Sequence, residues 1–234
     1  MPPDVDLLNI AYDNRQQPPL IVQKSGQMTQ AIALSGSQGV SFLGFIIDGI
    51  EHILIGTDHV LFVLCLTMAA GLSWRILWSV TGFTLGHSVT FALGAFGIFP
   101  QAAWFIPLVE WIIAASIIVA ALLIFVQSRR TAINGWHLFL LTALIGLIHG
   151  YGFAFVFSEL VGDIGRQVMA LIGFNIGVEV GQLMVVAAAM LVLWLLSQWH
   201  RYLALGLRFT TAVIAISIAA YWVYERGQSV LAAL

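Results

Sequence analysis

Six apolar runs fill most of the sequence from Phe42 onward, and they leave it one class of fold. They cover roughly Phe42–Ala70, Ile76–Phe99, Pro107–Val126, Trp136–Ser158, Val168–Leu196 and Leu205–Tyr224. A helix of about 20 apolar residues crosses a hydrocarbon core of about 30 Å, and each run is long enough. In lipid every backbone N–H and C=O must be satisfied within the protein, so such runs become helices. The expectation is an all-α membrane protein, a polytopic bundle of about six transmembrane helices. The first and fifth runs exceed what a bilayer needs, so each is tilted or broken, the first near Gly56. Charged residues make up only 9% of the chain, against about 25% in a soluble domain. A net charge of −2 offers no basic field to nucleic acid. The single cysteine, Cys65, excludes a disulfide framework within the chain.

Basic residues in short loops mark the cytoplasmic side. Arg75 precedes the second run, Arg129 and Arg130 follow the third, and Arg201 follows the fifth with Arg208 close by. The alternate loops are poorer: "GIFPQAAWFIP" has no basic residue, and "ELVGDIGRQ" sets Arg166 against Glu159 and Asp163. The expectation is a multi-pass protein of the cell (inner) membrane with both termini extracytoplasmic. Trp74, Trp104, Trp136, Trp199 and Trp222 sit toward the ends of the runs, as interfacial belts do, and His137 and His200 read as interfacial too. Residues 1–40 are polar, hold Pro2, Pro3, Pro18 and Pro19, and lack the apolar stretch of a signal peptide. They read as a polar extracytoplasmic tail or the remnant of a longer N-terminal domain, ahead of a helical bundle over 41–234.

Ionisable groups inside the runs are few and of one kind. Asp48, Glu51, His52, Asp58, His59, His87, Glu110, His149 and Glu179 lie within them, while no lysine does and arginines sit only at the ends. A charged side chain at mid-bilayer costs about 2.5–3.5 kcal/mol on insertion scales. The acids are therefore protonated, paired with histidine, or bound to a cation from outside. At 1.5 Å per residue, Asp58, His59, His87, His149 and Glu179 fall near the middle of their runs. Asp48, Glu51, His52 and Glu110 lie nearer the outer side, which reads as a midplane site with an approach from outside. His52 and His59, seven apart, share one helical stripe with Asp48. In the fifth run Asn175, Glu179 and Gln182 form a polar face, and Gly173, Gly177 and Gly181 form a flat opposite side for close packing.

Imidazole with carboxylate suits borderline divalent metals: nickel, cobalt, zinc and copper. A carboxylate also orients a ligating imidazole through its other nitrogen, and the Asp58–His59 dipeptide can supply either arrangement. Cys65 and Met68 read as ordinary packing.

Four blocks carry a family resemblance. "HILIGTDH" resembles the HPxxGxDH signature of the HupE/UreJ family of hydrogenase and urease accessory membrane proteins, with Ile53 in place of the proline. "FTLGHSVTFAL", "GLIHGYGFAF" and "GFNIGVEVGQL" resemble further blocks of that family, in the same order, so the resemblance spans about Phe42 to Gln182. It implies a bundle of about six membrane helices, sometimes after an extracytoplasmic domain. It further implies a nickel, sometimes cobalt, permease that supplies metalloenzyme maturation proteins. Position by position it points to His52, Asp58, His59, His87 and His149 as metal ligands, with Glu179 as ligand or charge partner and Asn175 and Gln182 beside them.

The leading expectation is thus a divalent-metal permease, not an enzyme, with nickel or cobalt as cargo and zinc or copper accepted by the same donors. Asp48, Glu51 and Glu110 would line the approach. Alternatives are an intramembrane zinc-dependent hydrolase, with Ser88 as accessory hydroxyl, and a non-transporting metal-binding accessory protein. A structural bundle with buried histidine–acid hydrogen bonds is the plainest. No nucleotide-binding motif occurs, so transport would use an ion gradient, protons or a separate partner.

Overall fold

The computed structural model of the chain describes residues 41–98, 100, 102–127, 134–158 and 164–234, with the backbone alone at 95, 127, 153–158 and 164–167. The polar segment 1–40, Arg129, Arg130, Glu159 and Asp163 lie outside the described residues. Among the described residues there are seven helices and no strand. They are α1 (Phe42–Ile55), α2 (Thr57–Ala70), α3 (Ile76–Ala95), α4 (Phe105–Gln127), α5 (Gly135–Ser158), α6 (Ile164–Trp199) and α7 (Arg201–Ala233).

The first expected span is two helices, α1 and α2, meeting at Gly56 with a bend of 75°. The pair nonetheless crosses the bundle. α1 runs beside the first half of α6, with Gly173 against Phe42 and Gly181 against Ile53. α2 ends beside the start of α7, where Arg208 donates to the carbonyls of Met68 at 2.6 Å and Ala69 at 3.1 Å. A guanidinium thus satisfies carbonyls that the helix end leaves open. Counting the bent pair as one broken span gives six spans, all apolar and long enough to cross a membrane. The chain is a multi-pass membrane protein. The face where α1 begins is termed outer and the face where α2 ends inner.

Two parallel helix pairs are built on glycine. α1 lies so close to α6 that a Cβ at Gly49 would strike the Phe174 carbonyl, and one at Gly177 the Ile46 carbonyl. α3 and α5 approach the same way, with Gly86 against the Ala143 carbonyl and Gly146 against the Phe83 carbonyl. Only glycine lets backbones meet at this range, and the gain is dense dispersion contact without a hydrophobic drive between helices. The Gly173–Gly177–Gly181 row therefore packs as expected, and its partner is α1.

α2 occupies the centre of the inner half. His59, Phe62, Val63, Cys65, Leu66, Thr67, Met68 and Ala69 are all buried on it, packed with residues of α3, α4, α6 and α7. Cys65 and Met68 belong to this apolar core. A second, smaller core of Phe45, Ile53, Phe91, Leu171, Phe174 and Val178 fills the outer half. The last span departs from expectation. α7 extends past Tyr224 to Ala233, and His200 alone separates it from α6, so Arg201 and Arg208 lie on a helix and not in a loop. His137, His200, Trp74, Trp136 and Trp199 are exposed, as interfacial residues would be.

Candidate metal centre

The break at Gly56 assembles the first two imidazoles. In an unbroken helix His52 and His59 would stand about 10.5 Å apart along the axis. The bend folds α1 back over α2 and brings their ring centroids to 4.7 Å. The break needs no proline. Gly56 has ordinary dihedrals, φ −66° and ψ 96°, so glycine serves here for space. A Cβ would sit 2.7 Å from the His52 carbonyl and 2.9 Å from His59 Nδ1. The backbone ladder is nearly kept, with Gly56 N–H on the His52 carbonyl at 3.0 Å and Val60 N–H on the Gly56 carbonyl at 2.9 Å.

His87 from α3 and His149 from α5 complete the layer. Ligand atoms of His52, His59 and His87 all lie within 4.8 Å of one another. His149 joins from the inner side, its ring 5.3 Å from that of His59. His59, His87 and His149 are buried, and His52 is half-buried. α3 and α5 deliver His87 and His149 side by side because their glycines let the backbones touch at Gly146 and Gly150.

Two of the four tautomers are fixed by their partners. Asp58 Oδ1 accepts from His59 Nδ1–H at 2.9 Å and from the His59 backbone N–H at 2.9 Å. The Ile145 carbonyl accepts from His149 Nδ1–H at 3.0 Å. Each therefore keeps its lone pair on Nε2, and both Nε2 atoms are buried with no hydrogen-bond partner. Both ring nitrogens of His87 are buried without a close hydrogen-bond partner, and the Asn175 side chain is the polar group nearest to acting on them. Leaving a buried polar atom without a hydrogen bond costs about 1–3 kcal/mol, so nitrogens gathered in this way suit a shared ligand. A cation fits this arrangement. For three atoms within 4.8 Å of one another there is a point within about 2.8 Å of all three, and inward shifts below about 1 Å reach the roughly 2.0–2.1 Å of a metal–imidazole bond.

The acids are arranged around this layer. Asp58 holds His59 in orientation, the arrangement in which a carboxylate raises the basicity of a ligating imidazole. Glu179 is not among the side chains whose ligand atoms lie within 4.8 Å of one another. It accepts from Thr81 Oγ1 at 3.0 Å, on α3 and six residues inward of His87. Gln182 is fully buried, with Thr84 Oγ1 donating to its Oε1 at 3.0 Å. Asn175 Nδ2 donates to the Leu171 carbonyl, and Ser88 Oγ lies 2.7 Å from Asn175 Oδ1 and 2.6 Å from the Thr84 carbonyl. Thr81, Thr84 and Ser88 thus form a polar seam between α3 and α6. Its signal was in the sequence: polar residues at helical spacing on the second run matching those on the fifth.

Asp48 is half-buried and Glu51 exposed on α1. Glu110 is half-buried near the outer start of α4, and there the expectation of no nearby base needs correction. Arg226, on the part of α7 beyond the expected span, donates to the Glu110 carbonyl at 2.8 Å while stacking over Trp222.

A family model described as HupE / UreJ protein matches residues 27–226. No match was found to a curated protein or to a solved structure. The matched stretch includes every helix that contributes an imidazole to the layer. The chain belongs to the HupE/UreJ family.

Proposed function

We propose that this protein is a permease for a divalent transition-metal ion, nickel or cobalt foremost, whose cargo binds the layer formed by His52, His59, His87 and His149. The observation that carries this reading is the convergence of imidazoles from four helices, with buried, unpartnered nitrogens at His59, His87 and His149. Nitrogen donors of this kind suit nickel, cobalt, zinc and copper, and the family resemblance favours the first two. Asp58 acts as the positioning carboxylate for His59. Glu179, with Asn175 and Gln182, serves as charge partner along the α3–α6 seam, and Asp48, Glu51 and Glu110 line the approach from the outer face. The membrane is the cell (inner) membrane, both termini are extracytoplasmic, residues 1–40 form a polar segment ahead of the bundle, and metalloenzyme maturation proteins receive the cargo.

What weighs against the hydrolase alternative is that Ser88 Oγ is engaged in the seam, by the Thr84 carbonyl and Asn175 Oδ1. The test is to follow metal uptake and lipid or peptide cleavage in the same reconstituted vesicles. Accumulation of nickel or cobalt above empty vesicles, lost in His87→Ala, supports the permease. Cleavage that depends on His87 and His149 without metal flux refutes it.

A further inference from the structure

The imidazole layer has a phenylalanine pair on each of its two sides. On the inner side Phe62 of α2 and Phe83 of α3 meet with ring centroids 5.2 Å apart. Both are fully buried, at 0% and 1% exposure. Their rings lie directly against the imidazoles: Phe83 is 4.9 Å from His149, 6.1 Å from His59 and 6.0 Å from His87, and Phe62 is 5.6 Å from His149. On the outer side Phe91 of α3 and Phe174 of α6 meet at 5.0 Å and are equally buried. Phe91 is 5.6 Å from His87, and Phe174 is 5.3 Å from His52. The order along α3 explains the sandwich. Phe83, His87 and Phe91 are spaced by four, so one face of one helix presents ring, ligand and ring in succession.

A divalent cation cannot pass a dry contact between two phenyl rings, because nothing there replaces its hydration shell. Apolar constrictions of this kind gate pores by excluding water. Each pair backs onto one of the two apolar cores: Phe62 and Phe83 onto the inner one, Phe91 and Phe174 onto the outer one. The buried histidines His59, His87 and His149 are therefore covered by phenyl rings toward both faces.

Resting on the permease reading, we propose that Phe62–Phe83 is the inner gate and Phe91–Phe174 the outer gate of the metal path, opened one at a time. The helix packing supplies the moving parts. α3 is locked to α5, and α1 to α6, by backbone contact at glycines. α3 meets α6 through side-chain hydrogen bonds from Thr81, Thr84 and Ser88, which can be exchanged for water or re-formed in another register. Rocking of the α3–α5 pair separates Phe83 from Phe62 in one direction and Phe91 from Phe174 in the other. This is the rigid-body motion of one helix group around a fixed site that alternating access needs.

The test uses the full chain with Cys65→Ala and a reporter thiol in the layer, His149→Cys, in oriented vesicles. A small membrane-impermeant thiol reagent is applied from each face. With both gates intact, labelling is slow from both faces. Phe62→Ala with Phe83→Ala speeds labelling from the inner face alone, and Phe91→Ala with Phe174→Ala from the outer face alone. The milder single variants Phe83→Leu and Phe91→Leu keep the apolar character and show the same sidedness to a smaller degree if the double variants fail to fold. Labelling that rises from the same face for both pairs, or for neither pair, overturns the gates. Metal uptake is measured separately on the chain without the reporter. Uptake without side-specific labelling removes the gates and leaves the permease. Side-specific labelling without uptake supports the gates and removes the permease.

Discussion

A carboxylate bound to an imidazole decides which ring nitrogen His59 offers to the layer. Asp58 Oδ1 accepts both the ring and the backbone N–H of His59, so the imidazole can turn neither its ring nor its tautomer away from the layer. Asp58→Asn keeps the size and an acceptor oxygen and removes the charge. It should weaken metal binding by about tenfold or more, in keeping with the roughly 10–100-fold cost of losing such an orienting partner. Calorimetry on detergent-purified protein checks this, and unchanged affinity would show that Asp58 has no part in holding the ion. The imidazoles that meet in the layer were legible in the sequence as candidates, because a histidine is costly in an apolar run and stands out there. Their pairing was not. His52 reads as one stripe with His59 on a straight helix, and only the bend at Gly56 turns two turns of separation into ring contact. Glu179 was legible as costly but not as the partner of Thr81, since a sequence gives its depth and not which helix it faces. Phe62, Phe83, Phe91 and Phe174 carried no signal, being four among fifteen phenylalanines in a lipid-compatible sequence.

Helix contacts in this bundle are set by absent side chains. At Gly86 a new Cβ would strike the Ala143 carbonyl, while at Gly206 it would meet nothing within 4 Å. Gly86→Val should therefore part α3 from α5, lower the thermal midpoint in detergent through overpacking of about 1–3 kcal/mol, and weaken metal binding because His87 follows directly. Gly206→Ala should leave the midpoint unchanged or raise it, since alanine in a helix interior gains roughly 0.5–1 kcal/mol over glycine. Equal midpoints for the two variants would contradict the close approach. The glycine rows announced tight packing, and periodicity placed the spans. Periodicity did not supply the partners, nor the reach of α7 to Ala233, because Glu225, Arg226 and Gln228 end the apolar run without ending the helix. Helix ends near an interface are set by which polar groups find partners, and Arg226 finds the Glu110 carbonyl.

As a whole, the described residues form a membrane bundle whose buried imidazoles gather in one layer, with a polar seam between α3 and α6 beside it. The proposed orientation follows from the basic loops and is open to direct measurement. In a Cys65→Ala background, Ile98→Cys and Asn134→Cys should be labelled from opposite faces, the first from outside and the second from the cytoplasm; labelling of both from one face would contradict the topology, and exchanged faces would reverse it. The proposed function stands or falls on whether a bound ion is held by the imidazole layer. X-ray absorption at the nickel edge of the loaded, purified protein tests it most directly. Nitrogen should dominate the ion's nearest neighbours, with the longer-range scattering of imidazole rings, and this signal should shrink in His59→Ala, His87→Ala and His149→Ala alike. A shell of carboxylate and water oxygens that these three substitutions leave unchanged would contradict it.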